Sequence, residues 1–204
     1  MNSNNIGSNK IDTDDNISPK SSSDNSKKSN RRWLTAYVRM HHERKVRDRL
    51  TDMGIENFLP VQIQTRQWSD RKKKVERVLI SMMIFVNVDV NEERQVLKTP
   101  SVMSYLVLRG ERKPAVIPNH DMQQFRFMVE RSQASVNFET TDLQLGEEVR
   151  ILKGPLTGLV GKLTHVKGKS SIAIQIDGIG CATVEVSADM VERVASDKKL
   201  NPKP

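Results

Sequence analysis

Residues 78–90 read Val-Leu-Ile-Ser-Met-Met-Ile-Phe-Val-Asn-Val-Asp-Val, and this run constrains the fold more than any other. Every second residue from Val78 through Ile80, Met82, Ile84, Val86 and Val88 to Val90 is apolar, which is the period of a β-strand. Leu79, Met83 and Phe85 occupy the alternate face, so the middle of the run is apolar on both sides. Such a strand needs cover twice. One face is expected to meet helices of the chain, and the other a partner.

The flanking sequence supplies those helices. Trp33 to Val38 reads as a strand, and His41 to Met53 as a helix with Val46, Leu50 and Met53 at i, i+4 and i+7. The other faces of that helix carry Arg44, Lys45, Arg47 and Arg49, and Gly54 offers a left-handed residue to end it. Leu59, Val61 and Ile63 alternate as a second strand, followed by a basic turn through Trp68 to Lys74. Asn91 is expected to cap a short helix, Glu92 to Lys98, which Pro100 stops. Val102 to Leu108 reads as a strand and His120 to Arg131 as a helix that buries Met122, Phe125 and Val129. This order predicts a small α+β domain with an antiparallel sheet flanked by helices, spanning 31–132.

Past it the composition changes. Residues 133–143 are polar and read as a flexible linker. Five short β-rich runs follow within 144–194: Glu148–Leu152, Leu159–Val166, Ser170–Asp177, Cys181–Val186 and Met190–Val194. Glycines punctuate them, which predicts a five-stranded β-barrel. The tails 1–30 and 195–204 are polar and are expected to be disordered.

The formal net charge of +8 is not evenly spread. Residues 31–134 hold 20 Lys and Arg against 12 Asp and Glu, whereas 142–194 hold 6 against 7. A basic first domain attracts polyanions through counterion release. Covalent chemistry finds no support. Cys181 is the only cysteine, and the four histidines show no ligand spacing. Gly161-Lys162 lacks the glycine five positions earlier, where Leu156 stands, and the following hydroxyl, replaced by Leu163. Gly178-Ile179-Gly180 precedes a strand rather than a helix, which is wrong for a dinucleotide site. We therefore expect a binding protein, not an enzyme, with no metal and no cofactor. No apolar run of about 18 residues offers a membrane span, and a cytoplasmic monomer is expected.

Several segments resemble one family. Trp33-Leu-Thr-Ala-Tyr37, the basic helix, Ile55-Glu-Asn-Phe-Leu-Pro60, Lys72-Lys73-Lys74-Val75-Glu76-Arg77 and Phe85-Val86 resemble the N-terminal (NGN) domain of NusG-type transcription elongation factors. Gly146 to Gly161, with Gly154-Pro155 and Gly158, looks like that family's KOW motif, the core of an SH3-like barrel. Arg66 to Val78 and Ile80 to Phe85 look like the specialised UpxY-type paralogues, antiterminators of capsular-polysaccharide operons. Ile80-Ser81-Met82-Met83 stands where general NusG proteins carry aromatic-Pro-Gly-Tyr.

The resemblance implies RNA polymerase as partner. Tyr37, Ile80, Met83 and Phe85, with Trp33 and Leu79 nearby, would line a hollow that receives the β′ clamp helices. Arg94 and Gln95 fall near a segment used against the β subunit's gate loop. Arg39, His42, Lys45 and Arg49, with Arg44 and Arg47 beside them, match the face that meets the non-template DNA strand. Arg71, Lys72, Lys73 and Lys74 suit nucleic acid or an acidic polymerase surface, and suit a mobile, solvated loop tip equally well. The KOW domain would meet ribosomal protein S10 or Rho through Ile176 and Ile179. Asp177 and a missing turn aromatic weigh against Rho. The rival readings are a general NusG factor working with Rho and the ribosome, and a KOW-type ribosomal or RNA-binding protein.

Overall fold

The computed structural model describes residues 31–67, 71–140 and 143–194; the two tails and Trp68, for which expectations were given above, lie outside the described residues. The first half of the chain is built on a five-stranded antiparallel sheet. Its strands are β1 (Arg32–Val38), β2 (Glu56–Phe58), β5 (Met83–Val88), β6 (Val102–Tyr105) and β7 (Val116–Ile117). The order is β2-β5-β1-β6, with β7 also paired to β1. Leu34 faces Val86 and Ala36 faces Ile84 across the β1–β5 register. Cross-strand partners share a face of the sheet, so these four side chains form one apolar surface.

That surface carries helices α1 (Glu43–Asp52) and α2 (Val90–Lys98). Val46 and Leu50 of α1 and Val96 of α2 are fully buried on it, in a cluster with Leu34, Ala36, Val38, Ile84, Val86 and Val88. Gly54, at φ +72°, ends the first helix as expected. Asp89, not Asn91, caps α2. Its side chain accepts the Asn91 and Glu92 amides, and Glu92 reaches back to the Asp89 amide, a reciprocal capping box.

The opposite face carries α3 (Asn119–Arg131), which buries Met122, Phe125, Met128 and Val129. Here the core does not stop at the first half. The same cluster contains Val136, Val149, Ile151, Ile172, Ile174, Ile176 and Val184 from the second half. These belong to a six-stranded antiparallel sheet ordered β13-β9-β10-β11-β12-β8. Its strands are β8 (Val136–Glu139), β9 (Glu148–Ile151), β10 (Val160–Val166), β11 (Lys169–Ile176), β12 (Gly180–Glu185) and β13 (Val191–Arg193). All five β-rich runs read from the sequence appear in it. The sixth strand, β8, lies in the stretch expected to be a flexible linker. Val136 is fully buried and pairs with Val184, so an apolar residue among polar neighbours draws this stretch into the sheet.

The long apolar run also departs from expectation. It is not one strand. β3 (Val61–Gln67) and β4 (Lys72–Val78) form a separate two-stranded ribbon, and the chain turns at 79–82 before β5 begins. Met82 takes a left-handed conformation at φ 62°. Its carbonyl accepts the Val38 amide at 2.9 Å, and its own amide donates to the Glu43 carboxylate at 2.9 Å.

Candidate macromolecular interface

The apolar set expected to form an open hollow is largely sealed. Phe85 is fully buried, and Trp33 and Ile80 are 4% and 6% exposed. The cause is α3. The Phe125 ring stands edge-on to Phe58 and Phe85, each at 5.7 Å between centroids. The Arg126 guanidinium lies 5.8 Å from the Trp33 ring. Tyr37 and Met83 are different. They face each other across the β1–β5 register and stay half-buried. Of the expected contact residues on this sheet, these two keep accessible surface. Leu79 is likewise half-buried, against the same cluster.

Ile176 and Ile179 are also buried, at 1% and 8% exposure. The turn between them fits against the first half of the chain. A methyl group at Gly178 would come within 2.2 Å of a Leu108 side-chain carbon and 3.8 Å of Leu106. Phe138 of β8 lies 6.3 Å from Phe125. Both expected partner surfaces, one in each half, therefore lie in a single apolar cluster.

The basic residues stand elsewhere. Arg39, Arg44, Lys45 and Arg49 are exposed, and His42 is half-buried with its ring nitrogen 3.0 Å from the Met40 carbonyl. Arg44 bridges to Glu76, donating to its carboxylate at 3.2 Å and its carbonyl at 2.9 Å. Arg47 pairs with Asp48, and Arg49 donates to the Pro100 carbonyl at 3.1 Å. Arg71, Lys72, Lys73 and Lys74 are exposed on the ribbon, and Arg94 is exposed on α2. The structure thus brings the ribbon and α1 together through Arg44 and Glu76. It leaves Arg94 apart, on a helix of its own.

One residue went unnoticed in the sequence. Glu43 opens α1 and is 6% exposed. Burial pushes its carboxyl up, but hydrogen bonds from the Met82 amide and from the backbone at Glu43 and His41, with the charge of His41, hold it below the ordinary range. It lies where three non-glycine residues adopt left-handed backbone: His41, Met82 and Ser101. The Arg39 amide donates to Ser101, and the Val38 amide to Met82, so three turns converge at one end of β1. An acidic residue after two histidines was the only trace of this in the sequence.

Residues 31–126 match the family model described as "Transcription termination factor nusG". Relatives include the transcription termination/antitermination protein NusG of Staphylococcus carnosus (strain TM300). It is 22% identical over 179 residues, covering 80% of this chain and 96% of that protein. The protein of the same name from Pasteurella multocida (strain Pm70) is 24% identical over 165 residues, covering 78% and 85%. Among solved structures, the one described as "Domain interaction in Thermotoga maritima NusG" aligns over 80% of this chain and 97% of that one, at 18% identity and a TM-score of 0.42.

Proposed function

We propose that this chain, whose residues 31–126 match the NusG family, is a transcription antitermination and elongation factor that acts by binding RNA polymerase. That match carries the reading. It is supported by a first half with two differently equipped surfaces, an apolar one through Tyr37 and Met83 and a basic one along α1. The partner of the first would be the β′ clamp helices, and that of the second the non-template strand. Arg94 would reach the β subunit. The factor then stabilises one conformation of the polymerase, and pausing or termination becomes less frequent.

Burial sets the order of events in this reading. Tyr37 and Met83 are touched first. Fuller engagement of Phe85, Ile80 and Trp33 requires α3 and the C-terminal sheet to give way. A partner of the KOW-like half, such as ribosomal protein S10, has to displace Leu106 and Leu108 from the Gly178 turn. The sequence Ile80-Ser81-Met82-Met83 favours a specialist serving one long polysaccharide operon, in the manner of UpxY-type paralogues.

The test is recovery of purified RNA polymerase by the full chain carrying Tyr37→Asp and Met83→Asp. These half-buried positions are suited to it, whereas Asp at fully buried Phe85 would unfold the chain. Loss of polymerase with an unchanged melting curve is the expected result, and undiminished recovery overturns the interface. A termination assay with Rho then separates specialist from general factor by sign: the specialist suppresses termination.

A further inference from the structure

We infer that the cavity between the α3–β8 connection and the facing turns of the second sheet binds a small amphiphilic anion, a free aliphatic carboxylate of medium length. The cavity encloses about 360 Å³. Small-molecule sites span roughly 300–1,000 Å³, so this one suits a compact ligand. One wall is formed by residues 132–134, which carry the chain from α3 into β8. The facing wall comes from the turn after β9 and from the end of β12 with the segment that follows it.

Both walls are held by hydrogen bonds. The Ala134 carbonyl accepts the Gln62 amide at 2.8 Å and the Ser132 hydroxyl at 2.9 Å, and the Gln62 oxygen accepts the Val136 amide at 3.0 Å. Opposite, the Leu152 amide donates to the Met190 carbonyl at 2.8 Å. With these groups engaged, the interior is left to aliphatic side chains, among them Ile151, Leu156 and Val184, all buried. Met190 also lines the cavity and is 37% exposed. Methionine adapts its shape to what it meets. No lining residue is aromatic, so the walls offer no platform on which a base could stack.

Charge at the rim selects the head group. Two lining side chains are ionic, Lys153 and Glu185. Glu185 is held by Lys169 at 2.8 Å, and that pair carries no net charge. Lys153 is exposed, and among the described residues no ion pair engages it. An apolar interior with one free ammonium at its edge is complementary to an aliphatic chain that ends in a carboxylate. A bare anion gains nothing from the walls, and a neutral alcohol gains little from Lys153. A ligand seated here touches both the α3–β8 connection and the second sheet, so its binding opposes their separation.

The test needs no polymerase, so it can fail independently of the function proposed above. The full chain is titrated by calorimetry with hexanoate, octanoate, decanoate and octanol, each below its micelle concentration, and is mixed separately with phosphatidylglycerol vesicles. The carboxylates are expected to bind at a single site, about tenfold tighter for each two carbons added. Lys153→Gln should weaken octanoate about tenfold and leave octanol unchanged. Met190→Asp, which sets a carboxylate in the lining, should abolish octanoate binding. Both positions are exposed, so melting curves should not move. Bound decanoate should slow amide exchange in β8. The inference is overturned if affinity is independent of chain length, if octanol binds as tightly as octanoate, or if either variant binds like the parent. It is also overturned if β8 exchanges alike with and without decanoate. Retention by the vesicles through Lys153 would overturn it too, since the ligand is then a membrane lipid.

Discussion

The two faces of the five-stranded sheet are both apolar, but they are closed in different ways. The face under α1 and α2 is private: every buried member of its cluster comes from residues 34–105. The face under α3 is shared, with a cluster that continues from Trp33 and Phe85 through Phe125 into β8, β11 and β12. A private face makes a domain, whereas a shared face makes a joint. Both sets of expected partner residues fall on the shared side, so a partner that took them up would compete with closure for the same side chains.

Substitutions can break this contrast. Phe125→Ala removes the ring that touches Phe58, Phe85 and Phe138. It should cost about 3–5 kcal/mol in urea denaturation. Hydrogen exchange should speed up in β11 as well as in β1. Leu50→Ala, in the private cluster, should cost a comparable amount yet leave β11 amides protected until global unfolding. Equal exchange patterns for the two variants would erase the distinction.

Glu43 ties the private side to the turn that leads into Met83. Glu43→Ala strands the Met82 amide and should cost about 1–3 kcal/mol. Because the folded-state pKa lies below the ordinary value of 4.5, the carboxylate stabilises the fold at neutral pH. That contribution disappears as pH falls through the folded value. The stability gap between parent and Glu43→Gln should therefore be widest above about pH 5 and close in more acidic buffer. A gap independent of pH would show that charge on Glu43 is irrelevant.

Gly178→Ala attacks the joint alone. Gly178 has φ +76°, and the added methyl meets Leu108. A left-handed alanine costs about 1–2 kcal/mol. The variant should lose cooperativity between the halves, seen as separate exchange behaviour in β11 and β1, and should bind polymerase more readily. The smallest effect belongs to the surface pair of Arg44 and Glu76. Both side chains are nearly half exposed, so Arg44→Ala should change stability by only about 0.2–1 kcal/mol, and added salt should abolish the difference.

Much of the fold was legible because period-two and period-3.6 patterns report on burial directly. β1, α1, α3 and the five runs of the second half followed from them. The pattern failed where burial and backbone direction part company. Ile80 is buried and keeps the alternation through 78–90, yet the chain turns over 79–82 with Met82 at positive φ, and a side-chain period carries no record of a φ angle. Asp89 was absorbed into the same run, which hid the start of α2. The candidate site was legible in its residue types and less so in its accessibility. The double-sided apolarity of Met83 and Phe85 predicts cover, and nothing local distinguishes α3 from a foreign helix as what provides it. The arginines of α1 could be counted, but their engagement by Glu76, Asp48 and the Pro100 carbonyl depends on residues up to 51 positions away.

Gln62 gives the ribbon a mechanical role. Its one side chain grips both Ala134 and Val136, at the lip of the edge strand of the second sheet. A displacement of the ribbon base would therefore pull on β8 through that amide, as with a thread sewn to a seam.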